Sequence, residues 1–116
     1  MEIKHGSIFD SVASAIVIPV SMEMVHPIIH TGVPHHVLFP TNIHLPEMSR
    51  SVLMRRGLYR LFNALNTPAS LATIPSIAFS LSGFVLGGLN EKDVMTALES
   101  FDKAFSGSVE VWIYEQ

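Results

Sequence analysis

Among the residue types of this chain, histidine can take part in the most kinds of chemistry. Five of the six histidines lie close together in the sequence. A structural zinc site takes four converging protein ligands and a catalytic one takes three. Pro27 and Gly32 leave little room for a helix here, and adjacent strand residues such as His35 and His36 point to opposite faces. We therefore expect a polar loop or a pH-sensitive interface, and no metal site, from the cluster of His26, His30, His35, His36 and His44.

No catalytic nucleophile accompanies these histidines. The chain contains no cysteine, which excludes disulfides, thiolate catalysis and cysteine-type zinc sites. It has no G-x-S-x-G motif, no P-loop lysine and no G-x-G-x-x-G fingerprint. An enzyme built on the histidines therefore has no positive support in the sequence, and no cofactor is expected.

A second candidate for chemistry is the stretch SIAFSLSGFVLGGLNEKD at residues 76–93. Its first part, residues 76–81, is an apolar run that predicts a central strand. Residues 82–89 contain glycines and predict a loop, after which Asn90 can cap a helix whose first turn carries Glu91 and Asp93. A strand, a loop and a helix N-terminus in this order bind anions through backbone N–H groups.

A membrane span is the competing interpretation of the same region. Residues 71–89 carry no charge, and their number approaches the roughly 20 residues that cross a bilayer. Pro75, several hydroxyl side chains and the glycines at 83, 87 and 88 argue against a span, and no belt of aromatic and basic residues flanks it. We expect a buried strand and a loop, and no membrane association.

Arginine is the third residue type with a local concentration. Four of the seven basic residues lie within residues 47–65, where apolar residues at helical intervals predict an α-helix that ends before Asn66-Thr67-Pro68. A solvated helix face is the simpler interpretation, and an anion site is the alternative. The four residues are Arg50, Arg55, Arg56 and Arg60.

Composition narrows the class of protein. The 116 residues predict one domain spanning residues 1–116, and 48% hydrophobic with only 15% charged residues indicates a globular chain. A net charge of −3 gives no reason to expect duplex nucleic acid as a partner. The opening MEIKHGSIFD lacks the apolar core of a signal peptide, so a cytoplasmic protein is expected.

The predicted elements follow the order β-β-β-α-β-α-β. Strand, helix, strand, helix and strand towards the C-terminus imply parallel pairing with right-handed crossovers, and hence an α/β fold. Residues 21–34 predict a loop with at most one helical turn. The predicted strands are 2–4, 15–20, 36–41, 76–81 and 109–114; the predicted helices are 47–65 and one that begins after Asn90 and buries Val94, Leu98, Phe101 and Phe105.

Three stretches together resemble the macro domain family, which binds ADP-ribose. SIAFSLSGFVLGGLNEKDV resembles the family's second ligand loop, HGSIFDSVASAIVIPVS its opening, and VLFPTNIHLPEMSRSVLMRRGLYRLFNAL the segment with Phe-Pro-Thr-Lys and a following helix. The last strand, VEVWIYEQ, also agrees. The most similar branch contains terminal ADP-ribose glycohydrolases and the antitoxin that removes ADP-ribose from DNA. The resemblance implies a three-layer fold with a mixed, largely parallel sheet, shortened between residues 21 and 36.

The chain departs from this family at the positions that carry its chemistry. Ser7 stands where the family has the aspartate that reads adenine, and Ile18 and Ser21 stand where it often has asparagines. Asn42 replaces the nucleophilic lysine of the glycohydrolase branch, and Gly87 replaces that lysine's acidic partner. An amide is not nucleophilic and glycine supplies neither acid nor base, so no catalytic residue is expected.

The resemblance therefore implies a binding module for ADP-ribose or a related nucleotide, with degenerate ligand loops. Gly83 matches the first loop glycine, whereas Phe84 and Val85 replace a small residue and a second glycine. The alternative is a macro-like scaffold that has lost its ligand and acts through protein contacts, as a subunit, an inhibitor or a homo-oligomer. The implied ligand-binding residues are Ser7, Ile8, Ser21, Ser82, Gly83, Phe84, Val85 and Leu86.

Overall fold

The computed structural model describes residues 1–21, 27–41, 47–65, 74–86 and 88–114. Within these residues the chain forms six strands, three α-helices and one short 3-10 helix. The strands are β1 (Glu2–His5), β2 (Ala15–Ser21), β3 (Ile28–His30), β4 (His35–Thr41), β5 (Ser76–Ser80) and β6 (Ser108–Ile113). The helices are the 3-10 helix (Ile8–Asp10), α1 (Glu47–Leu65), α2 (Leu81–Leu86) and α3 (Glu91–Ala104).

The six strands form one sheet in the order β1-β6-β5-β2-β4-β3. Every neighbouring pair is parallel except β3 and β4, which are antiparallel. The predicted mixed, largely parallel sheet is therefore confirmed. The apolar run at the start of β2 agrees with the central position of this strand, where Ala15, Ile16 and Val17 are almost wholly buried.

The direction in which the chain adds strands reverses between β2 and β5. From β2 the chain passes to β3 at the edge of the sheet, returns to β4 beside β2, and then continues through α1 to β5 on the other side of β2. From β5 it continues through α2 and α3 to β6 on the other side. Such a reversal leaves an open crevice at the carboxyl ends of the two strands, which is where ligands bind in open α/β sheets.

The main core lies between one face of the sheet and the helices α1 and α3. Phe79 of β5 meets Phe101 of α3 edge to face, with the ring centroids 5.3 Å apart. The apolar face predicted for α3 is confirmed, because Val94, Leu98 and Phe101 are buried. Its predicted cap is also confirmed, since the Asn90 Oδ1 accepts the N–H groups of Lys92 and Asp93.

The opposite face of the sheet carries a smaller apolar cluster. Ala78, Trp112 and Ala13 are buried there, and Ile8 of the 3-10 helix packs against them. This face is also where the Glu110 carboxylate lies buried. The two faces thus hold two separate clusters, and the smaller one supports the segment between β1 and β2.

Two sequence predictions are corrected by the structure. The predicted loop at residues 21–34 contains the edge strand β3, whose three residues are too few to show a strand periodicity. The strand predicted at residues 76–81 ends one residue early, at Ser80. Ser80 then caps helix α2, so the loop predicted at residues 82–89 begins as a helix. The predicted helix end at residues 66–68 lies outside the described residues.

No helix in the described ranges is long and apolar enough to cross a membrane. The uncharged stretch at residues 71–89 suggested a membrane span as the alternative. Where the structure describes this stretch, it contains a five-residue strand and a six-residue helix.

Candidate functional site

The candidate site lies at the carboxyl edge of the sheet. The strands β1, β2, β4, β5 and β6 all run in the same direction, so their carboxyl ends share this edge. Ser21 ends β2 and Ser80 ends β5, on either side of the point where the strand order reverses. Ser7 follows β1 at the same edge. The fold therefore brings together segments that are distant in the sequence, since more than 50 residues separate Ser21 from Ser80.

A glycine makes the turn that leads from β1 into this edge. Gly6 has a φ of +126°, a conformation that strains any residue with a Cβ. Its N–H donates to the Ile113 carbonyl at 2.9 Å, which holds the turn against the end of β6. The turn fixes the direction in which the chain enters the 3-10 helix.

Ser7 follows this turn and caps the 3-10 helix. Its Oγ accepts the N–H of Phe9 at 3.3 Å, and the Ser7 side chain is half-buried. One acceptor lone pair is therefore engaged, while a hydroxyl also has a proton to donate. Ile8 packs onto the smaller apolar cluster, so the predicted base end of the site rests on the sheet.

Glu110 anchors the rest of the segment between β1 and β2. The Ser11 Oγ donates to the Glu110 Oε1 at 2.6 Å, and the Trp112 Nε1–H donates to the same oxygen at 2.9 Å. The Lys4 Nζ lies 3.5 Å from the other carboxylate oxygen. Burial opposes ionisation, but the hydrogen bonds and the lysine outweigh it and hold the pKa of Glu110 below its usual range.

This carboxylate is a positioning group that sequence analysis missed. Ser11 and Glu110 are 99 residues apart in the chain. One feature of the sequence did point to Glu110: the alternation within VEVWIY places Glu110 and Trp112 on the same face of a strand. A carboxylate and an indole on one face of a predicted buried strand need polar partners, but the identity of those partners depends on the fold.

Helix α2 starts at the carboxyl end of β5 and is held there by two hydroxyl groups. The Ser80 Oγ accepts the Gly83 N–H at 3.0 Å, which is the arrangement of a helix N-cap. The Ser82 Oγ accepts the Tyr114 N–H at 2.9 Å and so joins α2 to the chain after β6. The predicted anion-binding loop therefore begins as a fixed helix.

Gly83 is required by packing between α2 and β2. A Cβ on Gly83 would lie 2.6 Å from the Pro19 Cγ, closer than real Cβ atoms approach their neighbours. Among the described residues, no residue other than glycine has a positive φ, so Val85 carries no strain of this kind. The small size of Gly83, not an unusual backbone conformation, lets the helix approach the strand.

The side chains that follow Gly83 point in different directions. Phe84 is fully buried and meets Phe39 of β4 edge to face at a centroid distance of 5.2 Å. Any contact of Phe84 with a ligand at the edge would therefore use its backbone. Val85 is 39% exposed and Leu86 is 86% exposed, so both side chains face solvent.

Three of the five clustered histidines, His30, His35 and His36, lie within the described residues. His26 and His44 lie outside the described residues, as do Asn42 and Gly87, the two residues from which the sequence predicts that no hydrolysis occurs. His35 accepts the Gly32 N–H at its Nδ1 atom, at 3.1 Å. No group of three or more potential metal ligands converges within the described part of the chain.

A groove of about 620 Å³ lies away from the carboxyl edge, between α1 and α3. Its floor includes Phe62 and Phe101, whose rings meet edge to face at 6.1 Å. Arg55 lines it, whereas the polar hydroxyls of Thr96 and Ser100 donate to carbonyls of their own helix. The groove has the size of a small-molecule site but few free polar groups to orient a ligand.

Comparison with known proteins identifies the fold as that of a macrodomain. No family model and no curated protein sequence matches the chain. The structure is similar to the macrodomain of Thermus aquaticus DarG, with a TM-score of 0.73, 19% identity, and 99% of this chain and 97% of that chain covered. It is also similar to the macrodomain of Mycobacterium tuberculosis DarG, with a TM-score of 0.69, 18% identity, and 98% and 97% covered. The resemblance inferred from the sequence is confirmed at the level of the fold.

Proposed function

We propose that this protein is a binding module for ADP-ribose or a related nucleotide, and that it does not hydrolyse its ligand. The observation that carries the proposal is the reversal of strand order at the carboxyl ends of β2 and β5, in a sheet with the macrodomain fold. A crevice at such a reversal is the usual ligand site of an open α/β sheet. Fold alone does not establish function, so the site residues need a direct test.

In the proposed complex, each part of the ligand meets one segment of the edge. The base lies at Ser7 and Ile8, where the Ser7 hydroxyl has a proton to donate. The ribose lies near Ser21 at the end of β2, and the phosphates lie on the backbone of residues 83–86. Leu86 is the most exposed side chain of that segment, so a charge placed there reaches the phosphates without disturbing the core.

The absence of hydrolysis follows from residue types at two positions. Asn42 cannot form a Schiff base, and Gly87 cannot donate or accept a proton through a side chain. Both positions lie outside the described residues, so the proposal rests on their identity in the sequence. We expect the Asn42→Lys protein to remain inactive towards ADP-ribosylated substrates, because the acidic partner is missing too. Vigorous activity from that single substitution would show that the residue matching is wrong.

Calorimetric titration with ADP-ribose tests binding directly, with ADP and NAD as comparison ligands. Micromolar binding, about −8 kcal/mol, is the expected result for a reader or sequestering module. The matched variants are Leu86→Glu and Leu86→Lys, which place opposite charges at the same exposed position. We expect the glutamate to weaken binding and the lysine to retain or strengthen it, because the ligand phosphates are negative. Equal affinity in both variants would place the phosphates elsewhere.

A second candidate is a macro-like scaffold without a ligand, which acts through protein contacts or as a homo-oligomer. The observation that favours it is the helical form of residues 81–86. Gly83 already donates its N–H to Ser80, and Phe84 is committed to the core. A backbone used in this way offers fewer free N–H groups to phosphate than an open loop. No heat with millimolar ADP-ribose, together with a self-associated species in sedimentation experiments, would favour this candidate.

A further inference from the structure

Two histidines from neighbouring strands lie directly opposite one another at the edge of the sheet. His30 of β3 is the register partner of His36 of β4 in the antiparallel pair. Both side chains are exposed, and among the described residues neither imidazole has a hydrogen-bond partner. His35, the neighbour of His36, differs because its Nδ1 accepts the Gly32 N–H. The pair thus has two free imidazoles on a single face.

The cross-strand register brings these imidazoles within reach of one ion. Directly opposed residues in an antiparallel pair project from the same face, with Cβ atoms roughly 4.5–5.5 Å apart. Two imidazole nitrogens bound to one metal ion each lie about 2.0–2.1 Å from it. Exposed side chains can turn towards a shared ion without displacing the core. We propose that His30 and His36 together bind one divalent transition-metal ion.

The surroundings of the pair select the class of metal. On its other side in the sheet, His36 is paired with Ile16 of β2. The next row on the same face consists of Ile28, Leu38 and Ile18, so it supplies no oxygen ligand. Magnesium and calcium require oxygen ligands, whereas zinc, nickel and copper accept imidazole nitrogen. The two imidazoles therefore favour a transition metal, and water would fill the positions that they leave open.

A bound ion would join the edge strand to the sheet. β3 has only three residues and pairs on one side with β4, so it is held by few backbone hydrogen bonds. An ion ligated from both strands binds the folded pairing more tightly than the unfolded chain, and thus stabilises the fold by mass action. Metal binding also competes with protonation of the imidazoles, so affinity decreases in acid.

Nickel titration of protein without an affinity tag tests this site. Calorimetry on the unmodified chain should show one ion per chain and a rise in melting temperature. We expect His30→Ala and His36→Ala each to reduce the affinity by at least the roughly 10–100-fold that even an outer-shell substitution costs. His35→Ala is the matched control, because this neighbouring histidine does not share the face, and it should bind nickel as the unmodified chain does. Magnesium should produce no saturable heat.

Three results would overturn the proposal. The first is a lack of saturable nickel binding by the unmodified chain. The second is binding that survives both His30→Ala and His36→Ala, which would assign the ion to other histidines. The third is an equal loss of affinity in His35→Ala. Since His30 and His36 are both exposed, their substitution is expected to leave the fold intact, and a melting curve without metal verifies this for each variant.

Discussion

The contact between Gly83 and Pro19 makes a sharp prediction about how the candidate site is built. In the Gly83→Ala protein, the new Cβ would lie 2.6 Å from the Pro19 Cγ, 3.0 Å from the Ser80 Oγ and 3.3 Å from the Pro19 Cδ. The proline ring is rigid and belongs to a strand, so it cannot simply rotate away. Helix α2 must therefore shift away from β2, which also strains the hydrogen bond from Gly83 to Ser80.

The expected cost combines two opposing effects. Overpacking of this kind destabilises a protein by about 1–3 kcal/mol. Alanine in place of glycine within a helix returns roughly 0.5–1 kcal/mol. Taking the middle of each range, the net loss for Gly83→Ala is about 1 kcal/mol. At a urea dependence of about 2 kcal/mol/M, this loss lowers the unfolding midpoint by roughly 0.5 M.

Urea unfolding followed by the fluorescence of Trp112 measures the change, because Trp112 is the single tryptophan and is 8% exposed in the folded chain. Gly32→Ala is the control, since a Cβ there meets its nearest neighbour at an ordinary 3.4 Å. Pro19→Ala removes the ring atoms, so it should reduce the cost of Gly83→Ala in the double variant. A Gly83→Ala protein as stable as the control, or an unchanged cost without Pro19, would refute the packing argument.

Three further substitutions test other parts of the structure. Phe84→Ala should lower the free energy of unfolding by about 3–5 kcal/mol, because it empties a fully buried site against Phe39. A loss below that range in urea unfolding would place Phe84 outside the core. Asn90→Ala should cost about 1 kcal/mol by the same assay, because two N–H groups at the start of α3 lose their acceptor. Glu110→Gln should cost about 1–2 kcal/mol at pH 7, where charge-assisted hydrogen bonds become neutral ones. Because the folded-state pKa of Glu110 is lowered, the stability it adds is present above its unfolded pKa and is lost as the pH falls through the folded value. The difference between the two proteins should therefore shrink in acid, and a constant difference in unfolding experiments from pH 7 to pH 3 would contradict the assignment.

Local patterns were sufficient to predict most of the sheet and both long helices. The run AIVIPV predicted a strand at residues 15–20, and the structure has β2 at Ala15–Ser21. The helix predicted at residues 47–65 is α1, and Asn90 caps α3 as expected. These elements are long or carry a strong capping residue, so neighbouring residues alone contain the necessary information. The macrodomain resemblance succeeded for a related reason, because it used the order of several such segments.

Short elements and distant contacts could not be predicted in the same way. Three residues of β3 show no clear period, and their pairing with β4 decides that they form a strand. Helix α2 depends on Ser80, which sequence analysis assigned to the interior of a strand. The predicted ligand residues Ser82, Val85 and Leu86 therefore acquired a helical setting that glycine content alone did not indicate.

The sequence by itself determined the α/β class, the main strands and helices, and the residue types that argue against hydrolysis at Asn42 and Gly87. These conclusions depend on local spacing and on the chemistry of single side chains. Only the tertiary structure decided that Ser11 meets Glu110 and that His30 faces His36. The reason is physical: strand register and crossover connections choose which distant residues become neighbours, and no local pattern contains that choice.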